Sequence, residues 1–119
     1  MKECSKELTE IVIGCAIEVH RNLGAGLLEN TYERCLAYEL SMKNIPFIVQ
    51  ASIPIKYKDI KLECGYRIDF LVDNCLILEL KSVEKLLKVH EAQILTYLKL
   101  ASISTGLLIN FNESRLVKN

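Results

Sequence analysis

The sequence predicts a mixed α/β fold of the α+β kind, with two helices, three successive strands, a third helix and a last strand. Three patterns predict it. Apolar residues recur at three- and four-residue spacing over 5–23 and 28–43, the period of an amphipathic helix. Runs rich in Ile, Leu, Val and Phe, broken by Pro, Gly and Asp-Asn, fill 46–81 and read as strands. A further helical pattern over 86–100 precedes a short apolar run at 105–110. Successive strands favour an antiparallel meander, and the last helix carries the chain to the final strand.

In the first helix, Leu8, Ile11, Val12, Cys15, Ala16 and Val19 form the apolar stripe, and Gly24 is a natural stop. Gly24-Ala25-Gly26 is a short linker. The second helix carries Tyr32, Leu36 and Leu40 on one stripe, with Asn44 near its end. Pro46 opens strand territory. Residues 47–57 read as one long strand, with Pro54 at an edge position or bulge. Lys58-Asp59 is a turn candidate. Two more strands follow at 61–72 and 75–81. Leu87, Ile94, Leu95, Leu98 and Leu100 set the pattern of the last helix, and a polar tail ends the chain.

With 119 residues the chain is long enough for one domain, 1–119, around one core. Its apolar stretches fall short of the ~20 residues that span a bilayer, so no membrane partner is expected. The polar N-terminus leads into an amphipathic helix, unlike a signal peptide, and a cytoplasmic location is expected. Five cysteines without a C-x-x-C spacing argue against a disulfide framework or a zinc site. Cys15 and Cys35 read as buried free thiols. A net charge of zero counts against tight, autonomous binding of long nucleic acid, because phosphate neutralisation dominates that affinity. It does not exclude a phosphodiesterase site, whose carboxylates subtract from the total. Lysines also cluster locally: Lys56, Lys58 and Lys61 flank one turn, and Lys81, Lys85 and Lys88 another.

The most informative segment is the hairpin of the second and third strands. Asp69, Glu79 and Lys81 interrupt arms that otherwise read as core, and a charge there is costly unless paired or bound to a metal. Glu79 and Lys81 share a face, about 6–7 Å apart along the strand. A two-residue turn at Asp73-Asn74 would pair Val72 with Cys75 and put Asp69 and Glu79 on opposite faces. A three-residue turn, Asp73-Asn74-Cys75, pairs Val72 with Leu76 and sets Asp69 opposite Glu79. The odd-length turn is the one predicted. Two facing carboxylates, about 5 Å apart at Cβ, repel each other but suit a hard divalent cation. Magnesium keeps several waters, one of them a candidate nucleophile. Lys81 stands where it could orient that water or stabilise charge on a phosphate. A salt bridge on a half-exposed sheet face accounts for these three residues about as well.

Further polar residues bear on the choice. Gln93 and Tyr97 lie four apart on one helix face, with His90 on the same stripe; a polar helix edge is the plainer alternative. Glu29 and Glu33 open the second helix. A solvated face is the plainer account of Glu33, less so of Glu29, which directly follows the glycine-containing linker. His20 ends the first helix, where the dipole favours it, or it lines a site. Glu18 and Arg21 read as helix surface. Tyr66 and Arg67 are within reach of a phosphate, without any specific spacing.

Together these residues resemble the PD-(D/E)XK nuclease superfamily. Asp69 matches its first acid, Glu79-Leu80-Lys81 its (D/E)-x-K element, and Gln93 with Tyr97 the Q-x-x-x-Y motif of the RecB-like and phage-exonuclease-like branch. The proline that names the superfamily is absent. Gly26-Leu27-Leu28-Glu29-Asn30-Thr31-Tyr32 is also similar to the defining motif of the GxxExxY family, as are the segments around His20, Asp69 and Gln93 to its other recurring segments. The resemblance implies a restriction-endonuclease-like αβββαβ core with an extra N-terminal helix, and a mixed four-stranded sheet flanked by helices. It implies a metal-dependent nuclease acting on DNA, or less readily RNA, with Mg2+ or Mn2+ held by Asp69, Glu79, the Leu80 carbonyl and Glu29. Lys81 would position the attacking water, and Gln93 and Tyr97 would orient Lys81 or the phosphate. His20, His90 and Glu33 are candidates for lining the site. A homodimer would double a small footprint on nucleic acid. The competing reading is a catalytically inactive module of the same fold that binds nucleic acid or a protein partner.

Overall fold

Ser5 starts the first helix. Its hydroxyl accepts the Leu8 N–H at 3.0 Å, the side-chain cap that satisfies an otherwise orphaned donor. In a computed structural model, which describes residues 3–116, helix α1 runs Lys6–Leu23 and stops at Gly24, whose φ of 73° suits glycine. The Gly24 N–H closes the end on the His20 carbonyl at 2.7 Å. The linker then folds onto Tyr32. Its hydroxyl donates to the Gly24 carbonyl at 2.6 Å and accepts the Leu27 N–H at 3.1 Å. Tyr32 is fully buried in helix α2 (Glu29–Met42) and stacks on Phe111 with 4.4 Å between ring centroids. The G-x-x-E-x-x-Y pattern therefore has a local cause: its tyrosine clamps the linker and sets where the first turn of α2, with Glu29, begins.

The central sheet has four strands in the order β1-β4-β5-β6: Phe47–Ser52, Arg67–Val72, Leu76–Lys81 and Thr105–Asn110. The first two pairings are antiparallel and the last is parallel. Helix α3 (Lys88–Ala101) supplies the crossover that the parallel pairing needs. Phe70, Val72, Leu76, Leu78 and Leu80 pack under α1 and α2. Ile68, Ile77, Ile94 and Tyr97 form the smaller core beneath α3. Strand β5 is buried on both faces along all but its last residue, as befits a strand covered by helices on both sides.

Three expectations change. The strand over 47–57 is two strands, because Pro54 cannot donate to a ladder: β1 ends at Ser52, and Ile55–Tyr57 forms β2. The strand over 61–72 also divides, at Gly65 with φ 77°, into β3 (Ile60–Leu62) and β4. β2 and β3 pair with each other around Lys58-Asp59 as a separate hairpin, with Lys56 directly opposite Lys61. The third change is a disulfide between Cys4 and Cys75, 71 positions apart, where none was expected. No short spacing announces it, since only the fold brings the N-terminus to the hairpin turn. Cys15, Cys35 and Cys64 are free, the first of them buried. Residues 117–119 of the expected tail lie outside the described residues, and no described helix is long and apolar enough to cross a membrane.

The decisive hairpin has the predicted register, with Val72 opposite Leu76, Leu71 opposite Ile77 and Phe70 opposite Leu78. Its turn combines the two options. Asp73 and Asn74 both have positive φ (48° and 57°), as a two-residue type I′ turn requires, and the Cys75 N–H donates to the Val72 carbonyl at 3.0 Å. Cys75 is then the extra residue that shifts the ladder by one, and the disulfide to Cys4 holds it.

Candidate functional site

The ladder ends at Phe70–Leu78, and extending its register by one step sets Asp69 across from Glu79. The Asp69 carboxylate is held at both oxygens: Oδ2 accepts the Leu80 N–H at 2.7 Å, and Oδ1 accepts the Gln50 side-chain amide at 3.2 Å. Glu79 is 5% exposed, a carboxyl almost wholly removed from water on a core strand. Burial pushes it up to about 8, aided by the hydrogen bond that protonated Glu79 donates to the Asp69 carboxylate and by that carboxylate's charge; the Asp69 backbone N–H and, less, Lys81 oppose the shift. Without a cation, the pair therefore carries a proton at neutral pH. Tyr97, on α3, feels the same charge. Its hydroxyl is raised first by burial, then by Glu79 and Tyr66, while a hydrogen bond with Gln93 pulls the other way.

Two depressions lie near the pair, and Asp69 lines the first of them. Toward α2 lies a cleft of about 210 Å³ lined by Glu29, Asn30, Glu33, Gln50, Asp69 and Leu80. Glu29 Oε2 accepts the Ser82 N–H at 3.1 Å, and the Ser82 hydroxyl donates to the Leu27 carbonyl at 2.6 Å, so the loop after β5 is tied to the start of α2. Asn110, opposite Lys81 on β6, holds the next residue of that loop: its amide bonds the Val83 carbonyl at 2.9 Å and the Val83 N–H at 3.1 Å. Toward α3 lies a groove of about 470 Å³ in which Tyr66, Gln93, Thr96 and Tyr97 supply the polar and aromatic groups. The Tyr66 and Tyr97 rings are 6.5 Å apart.

The fold thus gathers Asp69, Leu80, Glu29 and Glu33 around one cleft and Gln93 with Tyr97 around the other. Glu79 is a wall of neither; it lies buried against Asp69 and within electrostatic range of Tyr97 and Lys81. Among the described residues, no three His, Cys, Asp or Glu side chains are grouped as a ready metal cage. Of the candidates for lining the site, neither histidine is a wall of either depression. His20 Nε2 sits 2.7 Å from the Glu113 carbonyl, with its ring near Phe111, so its place is the seam between α1 and the C-terminal segment. His90 Nδ1 accepts the Leu87 N–H at 2.9 Å and so caps the start of α3. Reading the sequence missed Gln50, Asn30, Ser82 and Asn110. Only Gln50 carried a signal, as the lone amide in the strand Phe47–Ser52.

A mixed sheet flanked by helices, with an acid pair matched across its central hairpin, is the restriction-endonuclease-like arrangement. The chain belongs to the PD-(D/E)XK nuclease superfamily, whose family model matches residues 6–119. No curated protein and no solved structure matches it.

Proposed function

We propose that this protein is a Mg2+- or Mn2+-dependent nuclease that hydrolyses phosphodiester bonds in DNA, with RNA in place of DNA as the less favoured reading. The observation that carries the reading is the Asp69–Glu79 pair: two carboxylates matched across a hairpin, one nearly buried, with no cation of the protein strong enough to keep both charged. The donor set suits a hard divalent ion: oxygen ligands from Asp69, Glu79 and the Leu80 carbonyl, with Glu29 across the cleft. Such an ion, when bound, supplies Lewis-acid stabilisation of charge on the phosphate. Lys81, two residues from Glu79 on the same face, positions the attacking water. Gln93 and Tyr97 orient Lys81 or the phosphate. The groove beside Tyr66 and Tyr97 is free of carboxylates, and the β2–β3 hairpin next to it carries Lys56, Lys58 and Lys61. These features favour that side for the approach of the nucleic-acid strand, since the α2 cleft is acidic. The same reading takes residues 1–119 as one domain of the GxxExxY type, for which a homodimer would double the footprint on nucleic acid; the Cys4–Cys75 disulfide weighs against the expected cytoplasmic location, where thiols are kept reduced.

The test is cleavage of single- and double-stranded DNA and RNA by purified protein with each metal. Activity that is lost in Asp69→Ala and Glu79→Ala is the expected result; no cleavage of any form by the wild type would overturn it. A binding module of the same fold is the second reading, favoured by the absence of a three-residue metal cage among the described residues. Manganese titration by calorimetry separates the two: heat that disappears in Glu79→Ala belongs to the nuclease, and no heat in the wild type belongs to the module.

A further inference from the structure

We infer that Gln50 is a positioning residue of this site: its side-chain amide fixes the orientation of the Asp69 carboxylate, and its backbone is held in a strained conformation to do so. The inference rests on the reading of Asp69 as a metal-holding acid. The ladder between β1 and β4 is regular on both sides of Gln50, with Val49 opposite Phe70 and Ala51 opposite Ile68. Gln50 itself has φ 53°, the left-handed region that a non-glycine residue in mid-strand almost never adopts. Nothing in the local sequence asks for this, as neither neighbour is glycine or proline. The departure has a visible consequence. The backbone carbonyl of Gln50 accepts the Arg67 guanidinium at 3.4 Å, and the side chain reaches over the site.

There the amide nitrogen meets two carboxylates from different elements: Glu33 Oε1 on α2 at 2.7 Å and Asp69 Oδ1 on β4 at 3.2 Å. A primary amide has two N–H donors, so one nitrogen can serve both. The Leu80 N–H already holds the other oxygen of Asp69. With both oxygens held, the plane of the carboxylate is set before any ion arrives, which is what a supporting shell does for a ligand. The length of the side chain matters. Asparagine tolerates a left-handed backbone better than glutamine does but is one methylene shorter, so it cannot span the two carboxylates from the same backbone. Strain of this kind persists where the surroundings over-determine it, typically at functional sites.

The distinguishing signature is a loss of metal binding without a loss of stability. Gln50→Gly and Gln50→Asn relieve the backbone while removing the bridge. The experiment measures their thermal midpoints, their Mn2+ affinity by calorimetry, and the Leu80 amide resonance by NMR, with Asp69→Asn as the reference for a Leu80 N–H that has lost its carboxylate. Expected are midpoints within about 4 °C of wild type, Mn2+ affinity weakened about tenfold or more, and a Leu80 resonance moved toward its Asp69→Asn position. Affinity within twofold of wild type in both variants would overturn the inference, as would midpoints that fall by roughly 10 °C or more, which mark a structural residue. If the wild type binds no Mn2+, the metal reading fails but Gln50 is still tested: a Leu80 resonance that moves in the metal-free variants upholds its role, and one that does not move overturns it.

Discussion

Replacing Glu79 with glutamine should stabilise the metal-free protein at alkaline pH, an unusual result for a substitution in a core strand. The sign follows from the raised carboxyl. Its value rises from 4.5 to about 8 on folding, so the folded state binds this proton more tightly than the unfolded chain. The stabilisation is therefore complete below about pH 4.5 and is lost as pH climbs toward 8. At about 1.4 kcal/mol per unit, three and a half units set a ceiling of about 5 kcal/mol. Because Glu79 is coupled to a neighbouring charge and its surroundings can relax, about 2–4 kcal/mol between pH 5 and 9 is the working figure. Solvent screening removes little of it, since Glu79 is only 5% exposed. Glutamine has nearly the shape of the protonated acid and can still donate to Asp69. Urea denaturation with chelator present, from pH 5 to 9, gives the difference between the two proteins and cancels every other titrating group. Glu79→Gln should match wild type within about 1 kcal/mol at pH 5 and exceed it by about 2–4 kcal/mol at pH 9. A difference that stays flat across this range, or a variant weaker than wild type at pH 9, would refute the reasoning.

Other outcomes follow from the packing. The Cys4–Cys75 link closes a loop across 71 positions, so Cys4→Ser should lose about 4 kcal/mol in denaturation and become insensitive to dithiothreitol, whereas the wild type should weaken when reduced. A Cβ at Gly106 would lie 3.1 Å from Ile94 Cδ1 and 3.2 Å from Leu98 Cδ2, where α3 packs closely on β6. Gly106→Val should therefore cost about 2 kcal/mol by scanning calorimetry, with Gly106→Ala nearer to wild type because only side-chain tips must yield. Tyr32→Phe removes both bonds to the linker and should cost about 1–3 kcal/mol, with faster hydrogen exchange of the Leu27 amide as the local readout.

Where one physical signal dominated, the sequence was legible. Helix α1, with its serine cap and glycine stop, and strand β6 at Thr105–Asn110 lie where periodicity puts them. The hairpin register was legible because only one turn length lets Asp69 and Glu79 meet, and the observed ladder has that register. The β2–β3 hairpin was not legible, because residues 47–57 alternate well enough to read as one strand and Pro54 alone does not say whether it bends or ends it. The disulfide had no local signature, because its partners are adjacent only in three dimensions. His20 was ambiguous because its position at a helix end suits several roles; its bond to the Glu113 carbonyl is a long-range fact. Gln50, the lone amide of its strand, was passed over for a different reason. A polar residue at an exposed strand position is unremarkable until its backbone is known to be left-handed.

Two departures from local rules meet on one carboxylate. Glu79 puts an acid on a strand that is otherwise hydrocarbon, at a free-energy cost that grows with pH. Gln50 puts a left-handed residue in mid-strand, at a cost in backbone strain. Neither is fully compensated where it stands: the Asp69 backbone N–H and Lys81 offset the first only in part, and nothing in β1 calls for the second. Yet the Glu79 carboxyl hydrogen-bonds Asp69 from one side, and the Gln50 amide hydrogen-bonds it from the other. A sequence shaped for stability alone would remove both, with a neutral residue at 79 and a glycine or asparagine at 50. That two independent departures converge on Asp69 is a physical reason, separate from any motif, to test it as the proposed centre. The joint consequence is open to experiment. Glu79→Gln and Gln50→Gly should each leave the metal-free fold as stable as wild type or more so at pH 8, and each should weaken binding of Mn2+. A pair of variants that lost stability while keeping the ion would mean that the two features serve the fold, and that the centre lies elsewhere.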